Sequence, residues 1–177
     1  MTIDKLIRAY RFGLTALLLT ICAYSQVEKS SAVLEPDVLG MVYHVDAAKN
    51  TLTSLERQAA KASRGYFHAS AEINSERSPV RISASSGQDF VVSLAAGVDP
   101  NKFELFPMEV RKGKRRTVLA SAKMFSVESG KSSIAITAKR YGSTSYKLSP
   151  TQKLPVGEYC FSPADSQEVF CFGVDPS

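Results

Sequence analysis

The stretch that decides the fold is LPVGEYCFSPADSQEVFCFGVD, residues 154–175. Two runs within it, GEYCFS (157–162) and EVFCFGV (168–174), are rich in aromatic residues and valine, which favour strands. The intervening PADSQ contains residues that favour turns. The stretch therefore predicts a β-hairpin that carries one cysteine in each strand, Cys160 and Cys171.

Short apolar runs of the same kind alternate with turn signals through the rest of the chain from residue 40 onward. Such spacing is typical of an antiparallel sandwich or a closed sheet. We therefore predict one all-β domain over residues 40–177, with about nine to eleven short strands. The remaining runs are GMVYHVD (40–46), TLTSLER (51–57), SPVRISA (78–84), QDFVVSL (88–94), KFELFPMEV (102–110), RRTVLASAKMF (115–125), SSIAITAK (132–139) and STSYKL (143–148).

Two positions qualify this pattern. Pro107 lacks a backbone N–H, so we expect an edge or a bulge there. Residues 47–64 contain good helix formers, and a helix there is the alternative to a hairpin of the first two runs. We favour the hairpin for residues 40–57 and leave 58–65 as helix or loop.

Residues 154–159, LPVGEY, are similar to the L-x-P-G-x-Y entry to the penultimate strand of bacterial immunoglobulin-like sandwiches, with Val156 where that pattern often has proline. The C-terminal run, with the GMVYHVD-like and SPVRI-like segments, also resembles exported bacterial proteins without an assigned activity. This resemblance implies an immunoglobulin-like β-sandwich. It also implies a corner in which Tyr159 hydrogen-bonds to upstream backbone.

The first 25 residues have the three parts of a secretory signal peptide. Three basic residues precede an apolar run of 13 residues, 12–24, and small residues lead to Ser25. A membrane-spanning helix needs about 20 apolar residues, so we predict cleavage after Ser25 rather than anchoring. Cys22 follows isoleucine, which argues against lipoprotein processing. We expect a flexible lead-in over 26–39 and a periplasmic or secreted protein.

The composition sets limits on partners. The chain has 22 basic and 17 acidic residues. Removing a leader with three basic residues and one acidic residue leaves 19 against 16, a net charge of +3. A surplus this small does not predict a nucleic-acid partner. No second apolar run approaches membrane length, so we expect no span in the mature chain.

The export signal and the hairpin together predict a disulfide. A two-residue turn at 165–166 places Cys160 opposite Cys171 and Phe161 opposite Phe170. Disulfides persist in the oxidising surroundings that an exported protein meets. The same turn predicts a hydrogen-bonded, wider-spaced pair, which suits a bridge less well. Two buried thiols are therefore the alternative, and nothing nearby lowers a thiol pKa for catalysis.

A basic run covers residues 111–116, with five charges in six residues. It lies where the segment KFELFPMEV ends and the segment RRTVLASAKMF begins. We interpret it as a solvated hairpin tip with Gly113 in the turn, and we expect charge reversal at its last two arginines to leave folding intact. The alternative is contact with an anionic surface. The residues that would make that contact are Arg111, Lys112, Lys114, Arg115 and Arg116.

The sequence contains no catalytic motif that we recognise. GKS at 130–132 lacks the earlier glycine of a phosphate loop, since Phe125 stands there. His44 and His68 have no companion ligands at metal spacing, so neither a metal nor a cofactor is predicted. A catalytic pair would require the fold to bring scattered acids together. Those acids are Glu104, Glu109, Asp165 and Glu168.

We therefore interpret the protein as an exported, non-catalytic binding, structural or accessory domain of the envelope or extracellular space, with an envelope protein or polymer as partner. Exposed aromatic residues near strand ends would make the contacts. The alternative is a secreted hydrolase with two carboxylates on the sheet face or loops. A third class, an accessory subunit of a surface assembly, would present a long exposed strand edge. The aromatic candidates are Tyr43, Tyr66, Phe67, Tyr141 and Tyr146.

Overall fold

The computed structural model of the chain describes residues 34–64, 68–123, 126–129, 133–164 and 166–177. These residues form fourteen strands and one short 3-10 helix, Pro100–Lys102. The strands are β1 (Val42–Asp46), β2 (Thr51–Ser54), β3 (Glu56–Ala59), β4 (Lys61–Arg64), β5 (His68–Ile73), β6 (Arg81–Ser83), β7 (Phe90–Ser93), β8 (Phe103–Arg111), β9 (Lys114–Lys123), β10 (Ser126–Ser129), β11 (Ile136–Arg140), β12 (Ser145–Pro150), β13 (Gly157–Pro163) and β14 (Glu168–Asp175).

The strands belong to two sheets. The smaller sheet has the order β11-β12-β7-β1-β2, and the larger has the order β3-β14-β13-β8-β9-β5-β4. In the larger sheet β10 also pairs with β9, and β6 pairs with β14. The β6–β14 pairing is parallel, whereas the other strand pairs are antiparallel. The all-β, antiparallel, sandwich-like prediction is confirmed, with more strand segments than the nine to eleven expected.

The additional strands arise partly from the segment that the sequence left undecided. Residues 51–64 are extended almost throughout, in β2, β3 and β4. The first hairpin is confirmed, because Val45 pairs with Leu52 across the 47–50 connection. Residues 58–64 are therefore strand rather than helix or loop. Their pairing with β14 and β5 outweighs the intrinsic helix preference of the same residues.

The two sheets pack face to face around one apolar core. Phe90 of β7 in the smaller sheet lies 4.9 Å from Phe161 and 4.6 Å from Phe172 of the larger sheet, between ring centroids. These rings are almost completely buried. The core also contains Val42, Leu55, Ile82, Val92, Leu94, Phe103, Leu105, Leu148, Leu154, Tyr159, Phe170 and Val174.

The larger sheet rolls into a ring. Its two end strands, β3 and β4, are consecutive in the chain and are joined by a single residue, Ala60. The segment 56–64, β14, β13, β8, β9 and β5 thus follow one another around the ring, each antiparallel to the next. An even number of antiparallel strands allows such closure.

Strand alternation divides β13 and β14 between this ring and the sandwich core. Tyr159 and Phe161 belong to the sandwich core, whereas Cys160 belongs to a second apolar cluster. The residues of β14 alternate between the two faces in the same way, which places Cys171 in the second cluster. That cluster contains Ile73, Met108, Cys160, Val169 and Cys171, with Ala60 packed against it. The ring therefore has an apolar interior of its own.

Local features match the residues that form them. The Tyr159 hydroxyl donates to the Pro155 carbonyl at 2.9 Å, which confirms the predicted corner. Burial raises the pKa of Tyr159. Pro107 pairs with Tyr159 on one side, and β9 joins the other side of β8 from Glu109 onward. Proline thus stands where no ladder donor is required on that side.

The described part of the predicted flexible lead-in is held against the sheet. The Glu35 carboxylate accepts hydrogen bonds from the backbone N–H of Ser143 at 2.9 Å and the hydroxyl of Ser145 at 2.8 Å. Asp37 accepts one from the Tyr43 hydroxyl at 2.7 Å. The signal-peptide prediction and the start of the lead-in lie outside the described residues. Within those residues, no helix is long and apolar enough to cross a membrane.

Candidate functional site

A cavity of about 120 Å³ lies among the strands of the ring. Buried side chains form its inner wall, and the partly exposed Ser162 and the exposed Ser166 and Gln167 stand at its opening. Five ring strands and the β3–β4 link contribute to it. Its lining consists of Ala60, Ala71, Ile73, Phe106, Met108, Thr117, Cys160, Ser162, Ser166, Gln167 and Val169.

A disulfide between Cys160 and Cys171 forms part of this wall. The predicted register is confirmed, since these residues are direct partners and Phe161 pairs with Phe170. The wide spacing predicted for the pair is wrong. Their Cα atoms are 4.0 Å apart, closer to the roughly 4.5 Å of a non-hydrogen-bonded pair than to the roughly 5.5 Å of a bonded one. The connection between the strands has four residues, 164–167, instead of a two-residue turn.

The opening of the cavity is held in place by the β13–β14 connection. The Gln167 carbonyl accepts a hydrogen bond from the Ala60 N–H at 2.8 Å, which ties this connection to the β3–β4 link. The Ser166 hydroxyl accepts one from the Glu168 N–H at 3.0 Å. Among the described residues, the Gln167 side-chain amide has no hydrogen-bond partner. It is therefore free to bind a polar group at the opening.

A second element of the ring interior is a buried cluster of charges around Arg115, which has no exposed surface. Its guanidinium lies 2.8 Å from the Glu56 carboxylate and 3.7 Å from that of Glu158. It also donates to the Ser75 hydroxyl at 2.6 Å and the Ser75 carbonyl at 3.2 Å. Glu158 in turn accepts from the Ser78 N–H at 2.9 Å. We call these residues the arginine cluster.

The arginine cluster continues toward the surface through Arg81, which binds both Glu158 and Asp175. The hydrogen bond from Arg81 lowers the pKa of the Asp175 carboxyl, and the nearby charge of Arg77 adds to the effect. The guanidinium of Arg81 lies directly over Gly173, where an added Cβ would sit 1.6 Å from its nitrogen. Glycine at 173 therefore gives Arg81 the space to reach both acids.

The acids of the arginine cluster are each paired with a guanidinium. Glu56 faces Arg115, and Glu158 faces Arg115 and Arg81. Glu104, Glu109 and Glu168 are exposed, and Glu109 and Glu168 pair with surface arginines. Asp165 lies outside the described residues. Within the described chain, no group of three His, Cys, Asp or Glu residues is placed to hold a metal ion.

The basic hairpin tip is formed by the β8–β9 turn. Lys112 and Gly113 both have positive φ, 52° and 78°, and Arg111 pairs directly with Lys114. Arg111, Lys112 and Lys114 are exposed, as predicted. The expectation of exposure is wrong for Arg115. Strand alternation turns its side chain into the ring, where the carboxylates of Glu56 and Glu158 offset its charge. Arg115→Glu would place three carboxylates together, the new one and those of Glu56 and Glu158.

Among the candidates that the structure describes, two are buried, and Tyr141 and Tyr146 are partly exposed. His44 is buried, with Nε2 2.8 Å from the Gly87 carbonyl and its ring packed on Phe90. Tyr43 is buried as well. Tyr146 is partly exposed and its hydroxyl accepts from Arg140 at 3.0 Å. The side chains of Tyr66, Phe67 and His68 lie outside the described part of the structure.

The sequence reasoning missed the residues that form the ring interior. Ala60 and Ala71 carry no chemical signal, and Glu56 lies in the strand run 51–57, where nothing in the sequence distinguishes it from a solvent-facing residue. One signal was present in GEYCFS: Glu158 shares the strand face of Cys160, opposite the aromatic core face. A charged residue on an inward-facing position of a buried strand indicates a buried partner of opposite charge.

We find no protein-family model, curated protein or solved structure that matches the chain. The candidate site is therefore assigned from its own geometry.

Proposed function

We propose that the protein is an exported, non-catalytic binding domain that takes a small apolar group into the ring cavity. The observation that carries this proposal is the cavity itself, an apolar recess with polar groups at its opening. Such a combination is the usual form of a small-ligand site. A partner protein or polymer of the envelope is one source of that group.

The size of the cavity supports a small group. A dry cavity of about 150 Å³ lined by aliphatic and aromatic side chains accommodates benzene, and the ring cavity measures about 120 Å³. It suits one aromatic ring, a branched aliphatic side chain or the end of an alkyl chain. Gln167 at the opening offers both a donor and an acceptor to whatever polar group follows the apolar part.

A hydrolase is supported less well. Hydrolysis by two carboxylates requires both of them to flank the scissile bond of the substrate. Glu56 and Glu158 are instead engaged by Arg115 and Arg81 in the interior of the ring. Glu104 and Glu109 lie in one strand and are separated by about 17 Å along it, from a rise of about 3.4 Å per residue. That separation is too large for a catalytic pair.

Export is supported by the disulfide, because such bonds persist in oxidising compartments. The N-terminal pattern of charged, apolar and small residues supports the same conclusion. An immunoglobulin-like relationship is supported by the hydrogen bond from Tyr159 to the backbone at Pro155, the geometry of a tyrosine corner. The ring is a feature that such a sandwich would have acquired in addition.

The ring cavity is tested with fluorobenzene, a neutral probe of the expected size, followed by ¹⁹F NMR on the purified protein. We expect saturable binding. Ala60→Leu should weaken it by about tenfold or more, because the larger side chain fills the recess. Ala96→Leu adds the same bulk at an exposed position and should leave binding unchanged.

Circular dichroism and a thiol assay establish that each variant is folded and bridged. Should Ala60→Leu fail to fold, Ala71→Leu fills the cavity from β5 and takes its place. A wild-type protein that shows no saturable binding would overturn the proposal. So would a folded, cavity-filling variant that binds fluorobenzene as tightly as the wild type.

A further inference from the structure

A second cleft, outside the ring cavity, is lined by four basic side chains. It has a volume of about 310 Å³ and lies between β5 and the β8–β9 hairpin. Its lining consists of Glu72, Arg111, Lys112, Lys114 and Arg116. Arg115, which is adjacent in sequence, points into the ring and takes no part. We call this site the basic cleft.

The positive charge of the basic cleft is only partly compensated by the protein. Lys114 lies 3.4 Å from Glu72, and Arg116 lies 3.4 Å from Glu109. Among the residues that the structure describes, Arg111 and Lys112 have no carboxylate partner. With Glu72 and Glu109 counted against the four basic residues, the cleft and its rim carry a net charge of +2.

The hairpin holds two of these like charges against each other. Arg111 and Lys114 are direct cross-strand partners, because the two-residue turn at Lys112 and Gly113 places them opposite each other. Like charges in directly opposed strand positions are destabilising. An anion that contacts both side chains removes this repulsion.

Arg116 provides a second, independent observation. Its Nε atom is buried and has no hydrogen-bond partner within the described residues. A buried donor without an acceptor costs free energy. Its neighbours across the strands, Glu109 and Glu72, leave this donor unused although both carboxylates are close in register. Arg116 lines the cleft and 27% of its side chain is exposed, so a rotation of its guanidinium brings this donor to an oxygen acceptor from outside the chain.

We propose that the basic cleft binds an oxyanion carrying at least two negative charges, of the phosphate or sulfate class. Arg116 supplies a directional N–H group, and Arg111, Lys112 and Lys114 supply charge around it. Such an anion is either a free small molecule or the headgroup of a lipid, and both present the same oxygen atoms. The cleft is separate from the ring cavity, so this site stands independently of the apolar ligand.

Two probes distinguish these sources at low ionic strength. Pyrophosphate, followed by isothermal titration calorimetry, represents the free oxyanion. Vesicles containing phosphatidic acid, whose headgroup is a phosphate monoester, are compared with phosphatidylcholine vesicles by co-sedimentation and represent the lipid headgroup. Saturable binding of either anionic probe supports the site and identifies its source. We expect the affinity to fall as salt is added, because exposed charges are screened.

The double variant R111Q/K112Q should weaken binding by about tenfold or more, since it removes two charge-assisted contacts. R116K keeps the charge but loses the Nε donor, and it should weaken binding as well. The matched control K139Q/K153Q removes two exposed charges elsewhere and should have little effect. Circular dichroism checks the fold of each variant.

Absence of binding to both anionic probes would overturn the proposal. It would equally be overturned if K139Q/K153Q weakened binding as much as R111Q/K112Q, because net charge and not the cleft would then be responsible. Unchanged binding by folded R116K would remove the role assigned to the Nε atom and with it the directional site.

Discussion

At the scale of single residues, Arg115 is the most informative side chain. It is fully buried, yet it lies in a run of basic residues of which Arg111, Lys112 and Lys114 are exposed. Its position depends on Glu56 and Glu158, which meet it from two other strands of the ring. A buried ion pair contributes little net stability by itself, but losing one partner leaves uncompensated charge.

Arg115→Met should therefore destabilise the protein strongly, by about 3–5 kcal/mol in the free energy of unfolding. The measurement is urea unfolding followed by circular dichroism. Arg111→Met is the matched control, since Arg111 is exposed at the tip, and it should change stability by less than about 0.5 kcal/mol. Equal unfolding midpoints for the two variants would contradict the burial of Arg115.

Glu35 gives a pH-dependent prediction. Hydrogen bonds from the Ser143 backbone and the Ser145 hydroxyl lower the pKa of Glu35 from 4.5 to about 2. A carboxyl whose folded pKa is depressed stabilises the fold above its unfolded pKa, and this contribution is lost as the pH falls. The wild type should therefore lose stability between about pH 4.5 and pH 2 through this group.

Glu35→Gln should show a smaller loss of stability over the same pH window, measured by urea unfolding at several pH values. Glu104→Gln is the control, because Glu104 is exposed and has no partner in the described chain. It should follow the wild-type pH profile. An identical pH dependence in wild type and Glu35→Gln would show that the contact with residues 143–145 is not formed in solution.

At the scale of elements, the β13–β14 hairpin connects the two apolar interiors. The hairpin face that points away from the ring supplies the aromatic rings of the sandwich core. The face that points into the ring supplies the disulfide and Val169. The hairpin thus stabilises both parts of the molecule. The bridge between Cys160 and Cys171 fixes its register at the point where the ring cavity begins.

Replacing both cysteines with alanine should lower the free energy of unfolding by about 3 kcal/mol or slightly less, because the bridge closes a short loop. The fold should persist, since the aromatic face of the hairpin is unchanged. Urea unfolding with and without reductant measures the effect. Two free thiols in unfolded, unreduced protein would contradict the bridge, because no other cysteine follows residue 25.

At the scale of the whole molecule, the signal-peptide prediction determines which residues the exported form of the protein contains. We expect the exported protein to begin at Gln26, because the charged, apolar and small-residue regions precede it in the required order. Mass spectrometry of the intact protein measures this. Leu18→Arg should block export by interrupting the apolar run. Recovery of chains that begin at Met1 from the membrane fraction would contradict cleavage.

The sequence by itself determined the strands and their local pairing. The corner at Tyr159, which the resemblance of residues 154–159 to immunoglobulin-like sandwiches implies, is present. Alternating and aromatic runs separated by turn residues identified the hairpins, including the pairing of Cys160 with Cys171. These features depend on residues close together in the chain, where turn chemistry and the two-residue period of a strand are sufficient. The same local information placed a basic tip at residues 111–116, of which Arg111, Lys112 and Lys114 are exposed.

Only the tertiary structure decided the ring, its cavity and the burial of Arg115. The ring closes because β3 pairs with β14, far away in the sequence, while β4, joined to β3 at Ala60, pairs with the following strand β5. The parallel pairing of β6 with β14 is likewise long-range. Strand patterns show which faces are apolar, but they do not show which distant strands meet. Arg115 lies in a local pattern of exposed charge, and its partners, Glu56 and Glu158, become neighbours only when the sheet has rolled.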